Sequence, residues 1–142
     1  MAQRCVSFIL AMILIFFVIT RDDRASQSAV MSFVNAHQDA LVQAIEAREF
    51  SDFENKGIIK DIRFSGRTVE FSCGGAGIGS GAAYVGFYYT PKNDMTALWC
   101  APSSAGAFKP SGNGFAWQEP HGDNRYYTEH ICGHFYYYEA SF

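Results

Sequence analysis

A β-hairpin is predicted by the segment Ile58-Ile59-Lys60-Asp61-Ile62-Arg63-Phe64-Ser65-Gly66-Arg67-Thr68-Val69-Glu70-Phe71-Ser72-Cys73. In its second half, apolar Val69, Phe71 and Cys73 alternate with polar residues. This period of two is the pattern of a strand that buries one face. Ser65-Gly66 supplies turn residues between the two halves. The hairpin therefore predicts the beginning of an antiparallel sheet.

The residues before the hairpin have the periodicity of an amphipathic helix. From residue 28 to about residue 50, one face recurs at spacings of three and four, and it consists of Val30, Phe33, Val34, His37, Leu41, Ala44, Ile45 and Arg48. Ser26 or Ser28 is placed to cap the start of this helix, and we expect Gly57 to end the segment. A helix with one apolar face needs a partner surface, and the sheet provides one.

Strand patterns continue from the hairpin to the end of the sequence. Strands are predicted at 83–90, 96–100, 115–118 and 135–142, and the segment 125–132 fits a strand or a short helix. The glycine-rich segment 74–81 is predicted to be a connecting loop available for contacts. One helix followed by five or six strands predicts an α+β domain with the helix packed on an antiparallel sheet, in an outline similar to cystatin-like folds.

The first twenty residues contain an uninterrupted apolar run, Cys5–Ile19. At ~1.5 Å per helical residue it would extend roughly 23 Å, less than the ~30 Å hydrocarbon core of a bilayer. This length is typical of a signal peptide or a short membrane anchor. We therefore expect residues 1–28 to be a signal or anchor segment with a charged linker, and residues 29–142 to be an exported domain. An anchor held in the membrane through residues 5–19 is favoured, and secretion after cleavage is the alternative.

Composition argues against two classes of protein. The 142-residue chain has a net charge of −3, and no cluster of Lys and Arg is present to neutralise phosphates. A nucleic-acid partner is therefore not expected. Only 18% of the residues are charged and 16% are aromatic, which is the reverse of a disordered composition.

Three C-terminal segments resemble a group of small, signal-anchored bacterial proteins with no assigned activity. They are Tyr84–Asp94, which contains YVGFYYTP, Gly122–Ile131, which contains GDNRYYTE, and Tyr136–Phe142, YYYEASF. The resemblance implies a location in the bacterial envelope, on the extracytoplasmic side of the membrane. It implies no site residues.

Histidine and cysteine are concentrated in one region of the second half. His130, Cys132 and His134 lie close in sequence, with His121 nine residues before them. These side chains are of the types that bind zinc, and a small hydrolase or metal-dependent enzyme centred on them is an alternative function. No C-x2-C or H-E-x-x-H spacing accompanies them, so no cofactor is predicted.

Three cysteines follow the apolar run, and an odd number allows at most one disulfide bond among them. Cys73 and Cys100 both end predicted strands, which slightly favours a bond between them. The alternative is that Cys73, Cys100 and Cys132 are all reduced and buried as small apolar residues.

Tyrosine and tryptophan are more abundant than a small core requires. Neighbouring strand residues face opposite sides of a sheet, so some rings must lie on the face away from the helix. That face could be covered by loop 102–114, lie against the membrane interface or bind a ligand by stacking. We expect a non-enzymatic domain that binds a protein, peptide or glycan partner, and the candidate ligand-binding residues are Tyr88, Trp99, Trp117, Tyr126, Tyr127 and Tyr137.

Overall fold

A computed structural model describes residues 22–54, 57–77 and 81–142. The predicted signal or anchor run Cys5–Ile19 lies outside these residues. Within them, no helix is both long enough and apolar enough to cross a membrane.

The amphipathic segment forms helix α1, Gln27–Ala47. Ser26 caps its start, because the Ser26 hydroxyl accepts a hydrogen bond of 3.3 Å from the Ala29 N–H. The helix ends at Arg48, whose backbone is left-handed, with a φ of 55°. The helix predicted from residue 28 to about residue 50 is therefore confirmed, and it ends about three residues earlier than predicted, well before Gly57. Four residues of the predicted apolar face are buried, namely Val30, Val34, Leu41 and Ala44.

In the described part of the chain, seven antiparallel strands form one sheet. They are β1 (Asp61–Ser65), β2 (Thr68–Ala76), β3 (Ala83–Tyr89), β4 (Lys109–Ser111), β5 (Gly114–Gln118), β6 (Arg125–Cys132) and β7 (Phe135–Ser141). The order across the sheet is β1-β2-β3-β7-β6-β5-β4. Strand β7 therefore lies in the centre of the sheet. It pairs with β3 of the meander β1–β3 on one side, and it is the last strand of the meander β4–β7 on the other.

The α+β class is confirmed, and the predicted number of five or six strands is one or two too low. The segment 96–100, predicted as a strand, forms turns instead. An additional strand, β4, contains Pro110 and lies at the edge of the sheet, where a missing N–H is tolerated. Residues 125–132, for which strand and helix were both open, form strand β6.

Each face of the sheet has its own apolar core. On the helix face, α1 packs with residues such as Phe71, Phe87 and Tyr137. On the opposite face, here called the loop face, the segment 95–108 packs over Tyr88, Tyr126, Tyr136 and Tyr138. The domain therefore has three layers, formed by helix, sheet and covering segment.

The residues before α1 are tied to the end of β2. The Ala25 N–H donates to the Cys73 carbonyl oxygen at 2.9 Å, and the Gly75 N–H donates to Asp23 Oδ1 at 2.9 Å. A Cβ at Gly74, where φ is 119°, would overlap the backbone of Asp23. Residues 23–25 are thus part of the folded body, and a fragment beginning at residue 29 would lack these contacts.

Candidate functional site

The predicted ligand-binding residues do not share one surface. Tyr88 and Tyr126 are buried under the covering segment on the loop face, and Tyr137 is buried on the helix face. Tyr127 is half-buried on the helix face, where its hydroxyl donates a 2.6 Å hydrogen bond to Glu129 Oε2. These four rings are core or network residues, because segment 95–108 covers Tyr88 and Tyr126, and Tyr127 and Tyr137 belong to the helix-face core.

Trp99 is the most exposed of the predicted residues, with 63% of its surface exposed. Trp117 is half-buried and packs against the loop-face core. Its indole stacks on Phe142 with ring centres 5.5 Å apart and an angle of 13° between the planes. Phe142 in turn lies 6.1 Å from the ring of Tyr84, which is 39% exposed. Because Phe142 supports one face of the indole, the opposite face is held toward solvent in a fixed orientation.

A groove of about 440 Å³ lies beside this aromatic group. We call it the Trp99 groove, and its lining includes Lys60, Arg63, Glu70, Tyr84, Trp99 and Tyr138. A smaller cavity of about 140 Å³ adjoins it and is also lined by Arg63, Glu70 and Trp99. The glycine-rich end of β2, Gly74 to Gly77, forms one wall of the groove. Residues 74–77 of the predicted contact loop therefore do line a candidate site.

The floor of the Trp99 groove contains a buried carboxyl group. Glu70 is only 7% exposed, and its Oε1 accepts a hydrogen bond of 2.6 Å from the Tyr138 hydroxyl. Burial, together with the charge and hydrogen bond of Glu70, raises the pKa of Tyr138 far above its usual range. Tyr138 is therefore a neutral donor, and Glu70 keeps acceptor capacity at its second oxygen, since a carboxylate offers about four lone-pair positions.

Two cationic side chains, those of Arg63 and Lys60, lie at the rim of the groove. The Arg63 Nε donates to Asp61 Oδ2 at 2.7 Å, and the Arg63 guanidinium is also attracted to Glu70. That hydrogen bond uses one of the five donors of the guanidinium, so others are available to a ligand. Lys60 is exposed beside it. The groove thus combines a flat apolar wall with donors and an acceptor.

Sequence reasoning did not select Glu70, Arg63, Tyr84 or Phe142. Glu70 occupies the polar position of an alternating strand, which predicts a solvent-facing side chain. It is buried because segment 95–108 covers that face. The doublets of adjacent aromatic residues did indicate that rings occupy the loop face, and together with the glycine-rich segment 74–81 they were the signals for the site.

The histidines and Cys132 do not form a common centre. His121 lies in the β5–β6 turn, and His130 and His134 lie near the β6–β7 turn at the other end of β6, a strand about 23 Å long at ~3.3 Å per residue. His130 Nε2 contacts the Gly133 carbonyl oxygen at 2.9 Å, and His134 Nδ1 contacts Asn93 Oδ1 at 2.9 Å. A shift of register between His130 and Cys132 turns Cys132 toward the helix-face core. Across the described ranges, no three His, Cys, Asp or Glu residues are arranged to hold a metal ion.

The favoured disulfide bond between Cys73 and Cys100 is absent. Cys73 lies in the helix-face core and Cys100 in the loop-face core, so the sheet separates them. Both are free thiols, as is the half-buried Cys132, so the alternative of three reduced cysteines applies. Burial raises the pKa of Cys73 and of Cys100 to about 12.

Comparison with known proteins finds no matching family model, no curated relative and no solved structure of matching fold.

Proposed function

We propose that this protein is a non-enzymatic binding domain of the bacterial envelope that holds a saccharide in the Trp99 groove. The observation that carries the proposal is the exposed indole of Trp99, fixed by its stack on Phe142 beside a groove with a buried carboxyl floor. Large exposed aromatic groups next to concave polar surfaces are typical of ligand sites rather than of inert surface.

The chemistry of the groove matches that of a sugar ring. A pyranose has a flat face of C–H groups, which packs on an indole, and an equator of hydroxyl groups, which need donors and acceptors. Trp99 offers a surface on which the C–H face can pack. Glu70 offers an acceptor, and Arg63 offers donors, to the hydroxyl groups from the neighbouring groove wall. Tyr84 extends the aromatic surface and provides a place for a second sugar unit.

A peptide is less well matched to this groove. Peptides that bind a sheet commonly add a strand to an exposed edge and use its unpaired main-chain groups. The groove lies mainly over β2, β3 and β7, each of which is paired on both sides, and the edge strand β1 contributes Arg63 to it. Most main-chain groups below the groove are therefore committed to the sheet, so recognition has to come mainly from side chains.

The envelope location in this proposal rests on the sequence. The apolar run Cys5–Ile19 would export the domain, as an anchor or as a cleaved signal, and the C-terminal segments resemble signal-anchored bacterial proteins. An envelope-exposed domain meets cell-wall and surface glycans, which are ligands of the proposed class.

Titration of full-length protein in a non-ionic detergent with β-linked N-acetylglucosamine oligomers and neutral glucose oligomers tests the proposal. Trp99→Ala should weaken binding about tenfold or more, the loss expected for an aromatic contact together with its buried area. Phe115→Ala is the matched control, because Phe115 is 38% exposed but lines neither part of the groove. It should change affinity less than about twofold.

Two outcomes would overturn the saccharide assignment. One is that no oligosaccharide binds the full-length protein. The other is that Trp99→Ala abolishes the capture of unstructured peptides but leaves oligosaccharide binding unchanged, which would make the groove a peptide site.

A further inference from the structure

A second and larger cavity, of about 840 Å³, opens on the helix face of the sheet. The register of the strands places two rows of side chains on this face. The first row is Lys109, Ala116, Tyr127 and Glu139, and the second is Gln118, Arg125 and Ser141. Small side chains in both rows leave room for a ligand, and the volume is within the range of small-molecule sites.

Positive charge predominates among the described residues that line this cavity. Arg24, Lys109 and Arg125 are the cations, and Glu139 is the acid. The whole chain has a net charge of −3, so this excess does not follow from a basic composition. It is a local concentration of cations in a mildly acidic protein.

The carboxylates in and beside the cavity already have partners. Glu139 Oε1 accepts a 2.5 Å hydrogen bond from the Tyr137 hydroxyl, and Glu139 attracts the Arg24 guanidinium. Glu129 Oε2 accepts from the Tyr127 hydroxyl at 2.6 Å and from Gln27 Nε2 at 2.7 Å. Arg24 itself pairs with Asp22 at 2.7 Å.

Lys109 and Arg125 differ from Arg24, because neither forms an ion pair with a carboxylate in the described ranges. They lie on β4 and β6, two strands apart, and Lys109 is level with Tyr127, two residues from Arg125, so spacings of ~4.8 Å per strand and ~3.3 Å per residue put their backbones roughly 12 Å from each other. Two open cations at this separation suit a ligand with more than one anionic group. The planar guanidinium recognises carboxylate or phosphate through paired hydrogen bonds, and the ammonium adds a point charge.

We propose that this cavity, here called the Arg125 cavity, binds a small polyvalent oxyanion between Lys109 and Arg125. Carboxylate and phosphate groups share the required chemistry. The site is distinct from the Trp99 groove, because Lys109 and Arg125 line the Arg125 cavity and not the groove, although Tyr84 borders both.

Calorimetric titration of the full-length protein in non-ionic detergent tests the proposal, with citrate as the carboxylate probe and tripolyphosphate as the phosphate probe. The salt concentration is held at ~0.15 M, so that interactions beyond ~8 Å are screened. At least one probe should bind, and the stronger one identifies the anionic group. Arg125→Gln and Lys109→Gln should each weaken binding about tenfold or more, the loss expected for a charge-assisted hydrogen bond.

Arg67→Gln and Lys92→Gln are the matched controls, because both residues are exposed and neither lines the cavity. Each control removes the same charge as its partner variant and should change affinity less than about twofold. The absence of binding by both probes would overturn the proposal, and so would an equal loss of affinity in all four variants. Trp99→Ala should leave anion binding unchanged, which separates this result from that of the saccharide experiment.

Discussion

The Tyr138 hydroxyl donates a 2.6 Å hydrogen bond to Glu70 and thereby joins two strands that are not neighbours in the sheet. β3 lies between them, and the residue of β3 opposite Tyr138 is Gly86. A Cβ at Gly86 would overlap the Phe71 carbonyl oxygen and lie 2.9 Å from Tyr138 Cε1. The missing side chain therefore lets the Tyr138 ring cross β3 and form the floor of the Trp99 groove.

Removal of the Tyr138 hydroxyl should destabilise the fold. Tyr138→Phe leaves the buried Glu70 carboxyl without its described donor, which costs about 1–3 kcal/mol for a buried polar group. The free energy of unfolding, from the urea transition of the variant and the parent, measures this cost. Equal midpoints would show that the hydrogen bond contributes nothing to stability.

Tyr126→Phe should leave the stability of the fold unchanged or increase it. Tyr126 is as deeply buried as Tyr138, each being 1% exposed, but its hydroxyl has no hydrogen-bond partner among the described groups. The hydroxyls of Tyr88 and Thr128 lie nearby and bond to each other at 3.0 Å. Tyr126→Phe removes an unsatisfied group, so stability should be unchanged or increase by up to about 1 kcal/mol. A loss as large as that of Tyr138→Phe would contradict this interpretation.

Gly86→Ala should be more damaging than a glycine substitution elsewhere. The added methyl group would force β2 or the Tyr138 ring to move, and overpacking of this kind costs about 1–3 kcal/mol. Gly106→Ala is the control, because the nearest atom to its Cβ would be Ser104 Oγ at an ordinary 3.6 Å. Thermal unfolding of both variants measures the difference. Similar shifts in melting temperature would argue against the close approach at Gly86.

The helix and most strands could be predicted because their periodicity reports burial directly. The segment 96–100 could not be predicted correctly in this way, because its apolar run resembles a strand although it forms turns. Asp94 Oδ1 accepts hydrogen bonds from the Thr96 N–H at 2.8 Å and from the Thr96 hydroxyl at 2.7 Å, and the Ala97 N–H donates back to the Asp94 carbonyl oxygen. These local turns use the groups that a strand would need for pairing.

The candidate site was predicted only in part, because periodicity does not report the contacts of an irregular segment. Trp99 was selected because it is aromatic, and its exposure follows from its place in the covering segment. Glu70 was missed because no periodicity in residues 95–108 indicates that they form a third layer. The alternative centre at His130 and Cys132 does not form, because a one-residue change of register, which the sequence pattern does not show, turns Cys132 toward the helix-face core.

The three described cysteines should differ in reactivity toward an alkylating reagent. Cys73 and Cys100 are buried, and burial raises the pKa of each thiol to about 12, so little reactive thiolate forms. Cys132 is half-buried and should react first, although burial raises its pKa as well. Peptide mapping by mass spectrometry, with and without urea, measures labelling at each position. Rapid labelling of Cys73 in the folded protein, or a peptide linking Cys73 to Cys100, would contradict the structure.

Stability should decrease steeply above pH 10 because of the buried tyrosines. Burial raises the pKa of Tyr88 to about 12, and it also raises the pKa values of Tyr126, Tyr137 and Tyr138 well above the ordinary value of a tyrosine. Above the unfolded pKa of about 10, the unfolded chain releases protons that the folded chain retains, so each tyrosine lowers stability by up to about 1.4 kcal/mol per pH unit. This contribution is fully present below pH 10 and is lost as the pH rises toward the folded value.

Urea midpoints across this range, recorded with tyrosinate absorbance, should fall together with the appearance of tyrosinate, and Tyr88→Phe should make the decline shallower. A stability that does not change up to pH 12 would mean that these hydroxyls titrate in the folded protein as they do in water.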